Sequence, residues 1–240
     1  MTFHWAAATD PGRVRGHNED SLWPRPDGAG ASGGEAEAPF LAMVADGMGG
    51  HVAGEVASRL AAEAALAAEG DPVQRVLTAN AAVVRRALDQ PRLAGMGTTM
   101  TLAVFSPDEV EMGHIGDSRA YLYRDGTLTQ LTRDHSLMAD MIASGELTPE
   151  QAAVHPFRSV ITRALGMESH VVVDRVTRDL QPGDRVLLCT DGLTTMLADA
   201  EIAALLAGAD ASTAAAALIA AANDAGGYDN ISVVVVDLPR

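Results

Sequence analysis

The chain of 240 residues has a single cysteine, few aromatic residues (4%) and only 17 basic side chains against 32 acidic ones. One cysteine excludes an internal disulfide and offers no thiolate metal cluster. Cys189 ends the apolar run Arg185-Val186-Leu187-Leu188-Cys189, where a buried, inert thiol is expected; a cysteine-dependent phosphatase loop would require Arg where Thr195 stands. The formal charge of -15 opposes binding to nucleic acid or to an anionic membrane surface. No signal-peptide pattern opens the chain, and no apolar run reaches the roughly 18 residues of a membrane helix. These absences predict a soluble, cytoplasmic protein. With aromatics scarce, Ala, Val and Leu must fill the interior, and the length suffices for one large domain or two small ones.

What is present is organised around Val44-Ala45-Asp46-Gly47-Met48-Gly49-Gly50-His51, a charged, glycine-rich corner between an apolar run and a helix-like segment. A carboxylate at a strand end, followed by glycines, faces a space that backbone can approach closely because no Cβ intervenes. A tight turn is the plain reading, and an ion site the sharper one. A dinucleotide loop fits poorly, since the third glycine of that pattern would fall at Val52 and Asp46 would repel the pyrophosphate.

Strands are expected at residues 2–9, 21–23 and 39–45, with 24–39, rich in Gly, Ala, Pro, Ser and Glu, as a long hairpin connection. Helices follow at 54–69 and 72–90, with Gly70-Asp71 as stop and N-cap. Asn80 interrupts the apolar face of the second helix and reads as a hydrogen-bonded core polar. Strands return at 98–105, 110–115, 119–124 and 127–131, the last two joined by the hairpin signal Asp125-Gly126. Residues 134–165 hold small helical pieces, one opened by Thr148-Pro149-Glu150-Gln151. Further strands are expected at 171–177, 185–189 and 230–237, and helices at 199–207 and 210–223. Strands joined this tightly are antiparallel, which argues against a doubly wound nucleotide fold and for two packed sheets with helices outside.

A carboxylate recurs at the edges of apolar runs: Asp20, Asp46, Asp117, Asp191 and Asp229. Each alone is an ordinary turn or capping residue. Converging on one face of a sandwich, they would repel one another unless cations lay between them. All-oxygen donors suit hard ions such as Mg²⁺ or Mn²⁺. The seven histidines form no close i, i+4 pair, so a histidine zinc site is not expected; His114 reads as a satisfied strand polar. A haloacid-dehalogenase phosphatase would need a second Asp two residues from the first, where Val44, Met48, Cys189 and Leu193 stand.

In these motifs the sequence resembles the metal-dependent serine/threonine protein phosphatases (PPM, type 2C) in their bacterial form. The matching pieces, in family order, are Arg15-Gly16-His17-Asn18-Glu19-Asp20, Ala45 through Glu55, Gly97-Thr98-Thr99, Gly116-Asp117-Ser118-Arg119, Asp134-His135-Ser136, Ile161 through Gly166, Thr190-Asp191-Gly192-Leu193 and Gly226-Gly227-Tyr228-Asp229-Asn230. The resemblance implies one α+β catalytic domain over 1–240, a four-layer α-β-β-α sandwich of two central antiparallel sheets with a helical flap at about 134–165. It implies that Asp46 bridges two Mn²⁺ or Mg²⁺ ions and Gly47 offers its carbonyl to one of them. Asp20 would hold the waters bound to the other ion, Asp191 and Asp229 would complete the pair, Glu19 would act through water, and Asp117 with Asp191 would hold a third, weaker ion. Arg15 would grip the substrate phosphate. The implied activity is hydrolysis of phosphoserine and phosphothreonine in proteins, by a monomer that reverses a Ser/Thr kinase. Animal relatives carry a histidine where this chain has Met48, leaving the general acid open, with His51 a distant candidate. The alternative is a catalytically silent relative acting as a regulatory binding module, but such a protein would be expected to lose metal carboxylates or the arginine.

Overall fold

The structure, a computed structural model, describes residues 1–26, 31–49 and 52–239. The motif residue His51 lies outside them. One sheet orders its strands β10 (Thr127–Gln130), β9 (Arg119–Arg124), β12 (Arg185–Cys189), β13 (Ile231–Asp237), β1 (Thr2–Asp10) and β3 (Ser32–Glu37). The other runs β11 (Asp174–Asp179), β8 (Glu109–Ile115), β7 (Met100–Phe105), β4 (Phe40–Ala45) and β2 (Ser21–Trp23). Every pairing in both sheets is antiparallel.

Period-2 alternation divides these strands between three apolar layers. In β13, Val234 and Val236 join Val44, Ala42 and Leu188 between the sheets. Val233 and Val235 face the other way, onto α6 (Asp199–Leu206) and α7 (Ala211–Asp224) through Ile202, Ala214 and Leu218. In β4, Met43 and Ala45 turn outward onto α1 (Val52–Ala67) and α2 (Pro72–Asp89), where Ala57, Ala61, Val76 and Val83 pack. The result is the four-layer α-β-β-α sandwich. The small residues on the inner faces of the helices let them lie close to the sheets. Three of the four Phe residues, Phe3, Phe40 and Phe105, cluster with ring centroids 5.7 to 6.2 Å apart. They fill the sandwich at the start of β4, away from Asp46.

Local signals act where the sequence puts them. Asp71 caps α2 by accepting from the Gln74 N–H at 3.0 Å, and Asp125 and Gly126 both take positive φ, 50° and 80°, as a two-residue hairpin turn requires. Between 134 and 165 lie α3 (Leu137–Ala143) and α4 (Pro149–Ala153), the latter opened by a reciprocal Thr148/Gln151 box.

The expected hairpin connection at 24–39 instead contains a strand, β3. It is an edge strand held by backbone pairing to β1, and most of its side chains are exposed, so apolar alternation was not needed to form it. The strand expected from 98 is broken: β6 (Gly97–Thr98) leaves the sheet to pair with β5 (Gly47–Met48). β11 begins only at Asp174. A single turn, α5 (Asp191–Thr194), follows β12 directly.

Candidate metal centre

Register brings the carboxylates together. Ser21 pairs with Ala45, Met100 with Ile115, Cys189 with both Val233 and Arg119, and Asp10 with Ile231. The residues just beyond these pairs therefore emerge at one end of the sandwich: Asp20, Asp46, Asp117, Asp191 and Asp229. There a cavity of about 410 Å³ is lined by Arg15, Glu19, Asp46, Gly47, Met48, Asp117, Asp191 and Asp229.

Asp20 stands behind that lining. Its Oδ2 accepts from the hydroxyls of Thr190 at 2.9 Å and Ser232 at 2.7 Å, while its Oδ1 is shut off from solvent without a hydrogen-bond partner. The Oδ1 atoms of Asp117 and Asp191 are likewise buried and unpartnered. Three such oxygens, two in the cavity wall and one behind it, are costly, since an unmet buried polar group forfeits about 1–3 kcal/mol, more when charged. Burial pushes the Asp20 and Asp117 carboxyls up to about 7, with neighbouring carboxylates adding to the rise. Burial and then the charges of Asp20 and Asp191 raise Asp46 well above the carboxylate range, and burial raises Asp191. The Asp46 and Asp191 carboxyls also come within hydrogen-bond reach of each other.

This donor set fits divalent cations: hard oxygens, concentrated negative charge, and lone pairs with nothing to accept from. Among the described residues no three Asp, Glu, His or Cys groups close into a compact cage. The carboxylates are spread around the cavity wall, as suits an ion that keeps several waters.

The backbone beneath them is tightly fixed. Asp46 donates its N–H to the Thr99 hydroxyl at 2.9 Å, and its carbonyl accepts from the Thr98 hydroxyl at 2.8 Å and the Thr99 N–H at 2.9 Å. A Cβ on Gly47 would stand 2.2 Å from the Gly54 carbonyl oxygen, and one on Gly54 would stand 2.2 Å from Glu19 Oε2. Only glycine at both positions lets the turn after β4, the start of α1 and Glu19 meet. Arg15 reaches across the mouth, half-exposed, and donates from Nη2 to Asp229 Oδ2 at 2.7 Å.

Asn230, quoted in a motif without a role, is the strut of the site. Its Oδ1 accepts from the Glu19 N–H at 2.8 Å, and its Nδ2 donates to the carbonyls of His17 at 2.8 Å and Pro11 at 3.0 Å. One buried side chain thus ties the loop bearing Arg15 and Glu19 to the strand that follows Asp229. Thr190 and Ser232 were also missed. Thr190 adjoins Asp191 in its motif, whereas nothing in the sequence marks Ser232. Cys189 is buried and its thiol is pushed up to about 12. His114 is buried between the Thr101 hydroxyl and the Arg133 carbonyl. Asn80 is buried and bonded to Gly166 and Glu168.

The protein phosphatase 2C family model matches residues 23–225. The chain is 40% identical to the serine/threonine protein phosphatase PstP of Mycobacterium tuberculosis over 99% of its own length and 45% of that protein's. It therefore spans about half of the mycobacterial relative. It is 38% identical to the serine/threonine phosphatase stp of Listeria welshimeri, covering 98% of this chain and 95% of that one. Among solved structures, the M. tuberculosis serine/threonine phosphatase PstP/Ppp superposes with a TM-score of 0.88 at 40% identity over 100% of both chains. The catalytic domain of PstP in complex with two manganese ions gives 0.84 at 38% identity, also over 100% of both. The chain belongs to the protein phosphatase 2C family. No helix among the described residues is long and apolar enough to cross a membrane.

Proposed function

We propose that the protein is a metal-dependent phosphatase that hydrolyses phosphoserine and phosphothreonine in proteins. The observation that carries this reading is the set of three unpartnered, buried carboxylate oxygens, on Asp117 and Asp191 in the wall of one cavity and on Asp20 behind it, beside a half-exposed arginine. Relatives named as serine/threonine phosphatases, one solved with two manganese ions, support it.

Asp46, Asp20, Asp191, Asp229 and the Gly47 carbonyl would hold two Mn²⁺ or Mg²⁺ ions, with Glu19 acting through water and Asp117 and Asp191 taking a third. Divalent cations bound there supply a water acidified enough to attack phosphorus in line near neutral pH. Arg15 trades its partner Asp229 for two phosphate oxygens, a geometry its planar fork provides and an ammonium does not. Met48 borders the cavity but has no proton to give, so the departing serine or threonine oxygen takes its proton from another donor. Asn230 keeps the Arg15 and Glu19 loop in register with Asp229. The partners are phosphoproteins supplied by a Ser/Thr kinase, met by a monomeric catalytic domain whose segment 134–165 forms a flap beside the cavity.

Hydrolysis of a phosphopeptide and of p-nitrophenyl phosphate, each with and without Mn²⁺, tests the reading. Chelation should abolish both activities and Mn²⁺ or Mg²⁺ should restore them. Full activity in excess chelator refutes the proposal.

A further inference from the structure

A second cavity, of about 520 Å³, opens beside the carboxylate cavity, and the two share Met48, Ser159 and Ile161 as a common wall. Beyond that wall its lining runs over Ala164, Met167 and Val172. Met167 and Val172 are 63% and 69% exposed. Large apolar side chains grouped in water at the rim of an active cavity mark a surface that something covers. The ionisable groups of the lining are Arg163, which donates to Asp174 at 3.0 Å, and Glu168 and His170, so the apolar side chains share the groove with an acidic carboxylate that further disfavours an acidic occupant.

The groove is also built in advance. Buried Asn80 on α2 accepts from the Gly166 N–H at 2.8 Å and donates to the Glu168 carbonyl at 3.0 Å, fixing the segment that carries Met167. Leu165 and Thr98 exchange backbone hydrogen bonds of 2.8 and 3.1 Å, tying the same segment to β6 and, through β5, to the turn at Asp46. A wall held this firmly costs little to order when a ligand arrives.

We infer that this groove is a substrate subsite: it receives the peptide flanking the phosphorylated residue and favours an aliphatic or methionine side chain there. The inference rests on the phosphatase reading, because it takes the phosphate to sit in the adjoining cavity. An extended peptide advances about 3.3–3.6 Å per residue, so a side chain roughly two to four positions from the phosphoresidue reaches past the Met48 and Ile161 wall. The occupant's chemistry follows from the lining and from the chain's charge of -15, which disfavours an acidic flank.

The test uses phosphopeptide pairs that differ only by Leu or Asp at each position two to four residues either side of the phosphoresidue, with p-nitrophenyl phosphate as a substrate too small to enter the groove. The wild-type protein should favour one Leu peptide by about tenfold in kcat/KM, equivalent to about 1.4 kcal/mol. Val172→Asp and Met167→Ser should bring that ratio to within about twofold while leaving p-nitrophenyl phosphate turnover unchanged, which also reports that each variant is folded. Equal turnover of every pair by the wild type, or an unaltered ratio in both variants, overturns the subsite. Failure of the wild type to hydrolyse p-nitrophenyl phosphate with Mn²⁺ strikes the phosphatase reading instead, and the subsite with it.

Discussion

Asp20→Asn should make the metal-free protein more stable at neutral pH while impairing its metal chemistry. The Asp20 carboxyl is raised to about 7 in the fold, against 3.8 for an unperturbed group. For an acid raised in this way the folded state holds the proton more tightly than the unfolded chain. Stability is therefore fully present below about pH 4 and is lost as pH climbs towards 7. Charging Asp20 at pH 7.5 costs on the order of 4 kcal/mol at about 1.4 kcal/mol per pH unit between the two values. Solvent reaching the cavity screens part of this, leaving roughly 2–4 kcal/mol.

Asparagine removes the charge and keeps an oxygen for the Thr190 and Ser232 hydroxyls. Its amide N–H₂ then occupies the place of the unpartnered Oδ1, a penalty of about 1–2 kcal/mol. The expected net gain is about 1–2 kcal/mol, or roughly 2–8 °C in Tm for a protein of this size. Thermal unfolding in chelator at pH 7.5 and pH 5 measures it: the variant should lead at pH 7.5 and lose most of that lead at pH 5, where Asp20 is protonated in the fold. Saturating Mn²⁺ should reverse the order, since a ligand at 100 times its Kd stabilises the wild type by about 2.7 kcal/mol. If Asp20→Asn is less stable than wild type in chelator at pH 7.5 and binds Mn²⁺ equally well, the carboxylate is an ordinary structural one and the argument from its raised pKa fails.

Arg15→Ala removes a charge-assisted phosphate contact of roughly 1.5–3 kcal/mol and should lower kcat/KM about 10- to 150-fold, with Arg15→Lys recovering only part; a silent Arg15→Ala would make Asp229 its sole business. Asn230→Ala deletes three hydrogen bonds of 2.8 to 3.0 Å and should cost about 3 kcal/mol or more in urea unfolding, with a raised KM for p-nitrophenyl phosphate; an unchanged KM would remove its positioning role. Asp46→Asn should weaken both core ions and reduce turnover by roughly three orders of magnitude, whereas Asp117→Ala should keep two tight sites and still turn over more slowly. Calorimetric Mn²⁺ titration separates these two, and loss of the tight sites in Asp117→Ala would show the assignments to be reversed.

The strands buried on both faces were legible because each is a nearly continuous apolar run bounded by polar or turn residues: β4, β12 and β13, and the more mixed β8, fall within a residue of where those runs put them. β3 was not, because an edge strand held through its backbone can be built from Ser, Gly and Glu. The short pairing of β5 with β6 was invisible for a similar reason. Two residues of ladder leave no period to detect, yet that pairing carries the Asp46 turn.

Within the site, the carboxylates were readable as chemistry because each closes or opens an apolar run, and strand ends are where antiparallel register gathers side chains. What the sequence could not display is their mutual cost. That Asp20 has one oxygen held by two hydroxyls and the other held by nothing depends on Thr190 and Ser232 meeting across β12 and β13. The pairing of Cys189 with Val233 sets that meeting, and no local pattern encodes it. The same division explains Arg15. The resemblance assigned it to phosphate, but only the fold reveals that its Nη2 donates to Asp229 Oδ2 at 2.7 Å. On the proposed assignment, cations held by Asp229 would compete for that carboxylate and loosen its contact with Arg15, leaving more of the guanidinium's donors for phosphate.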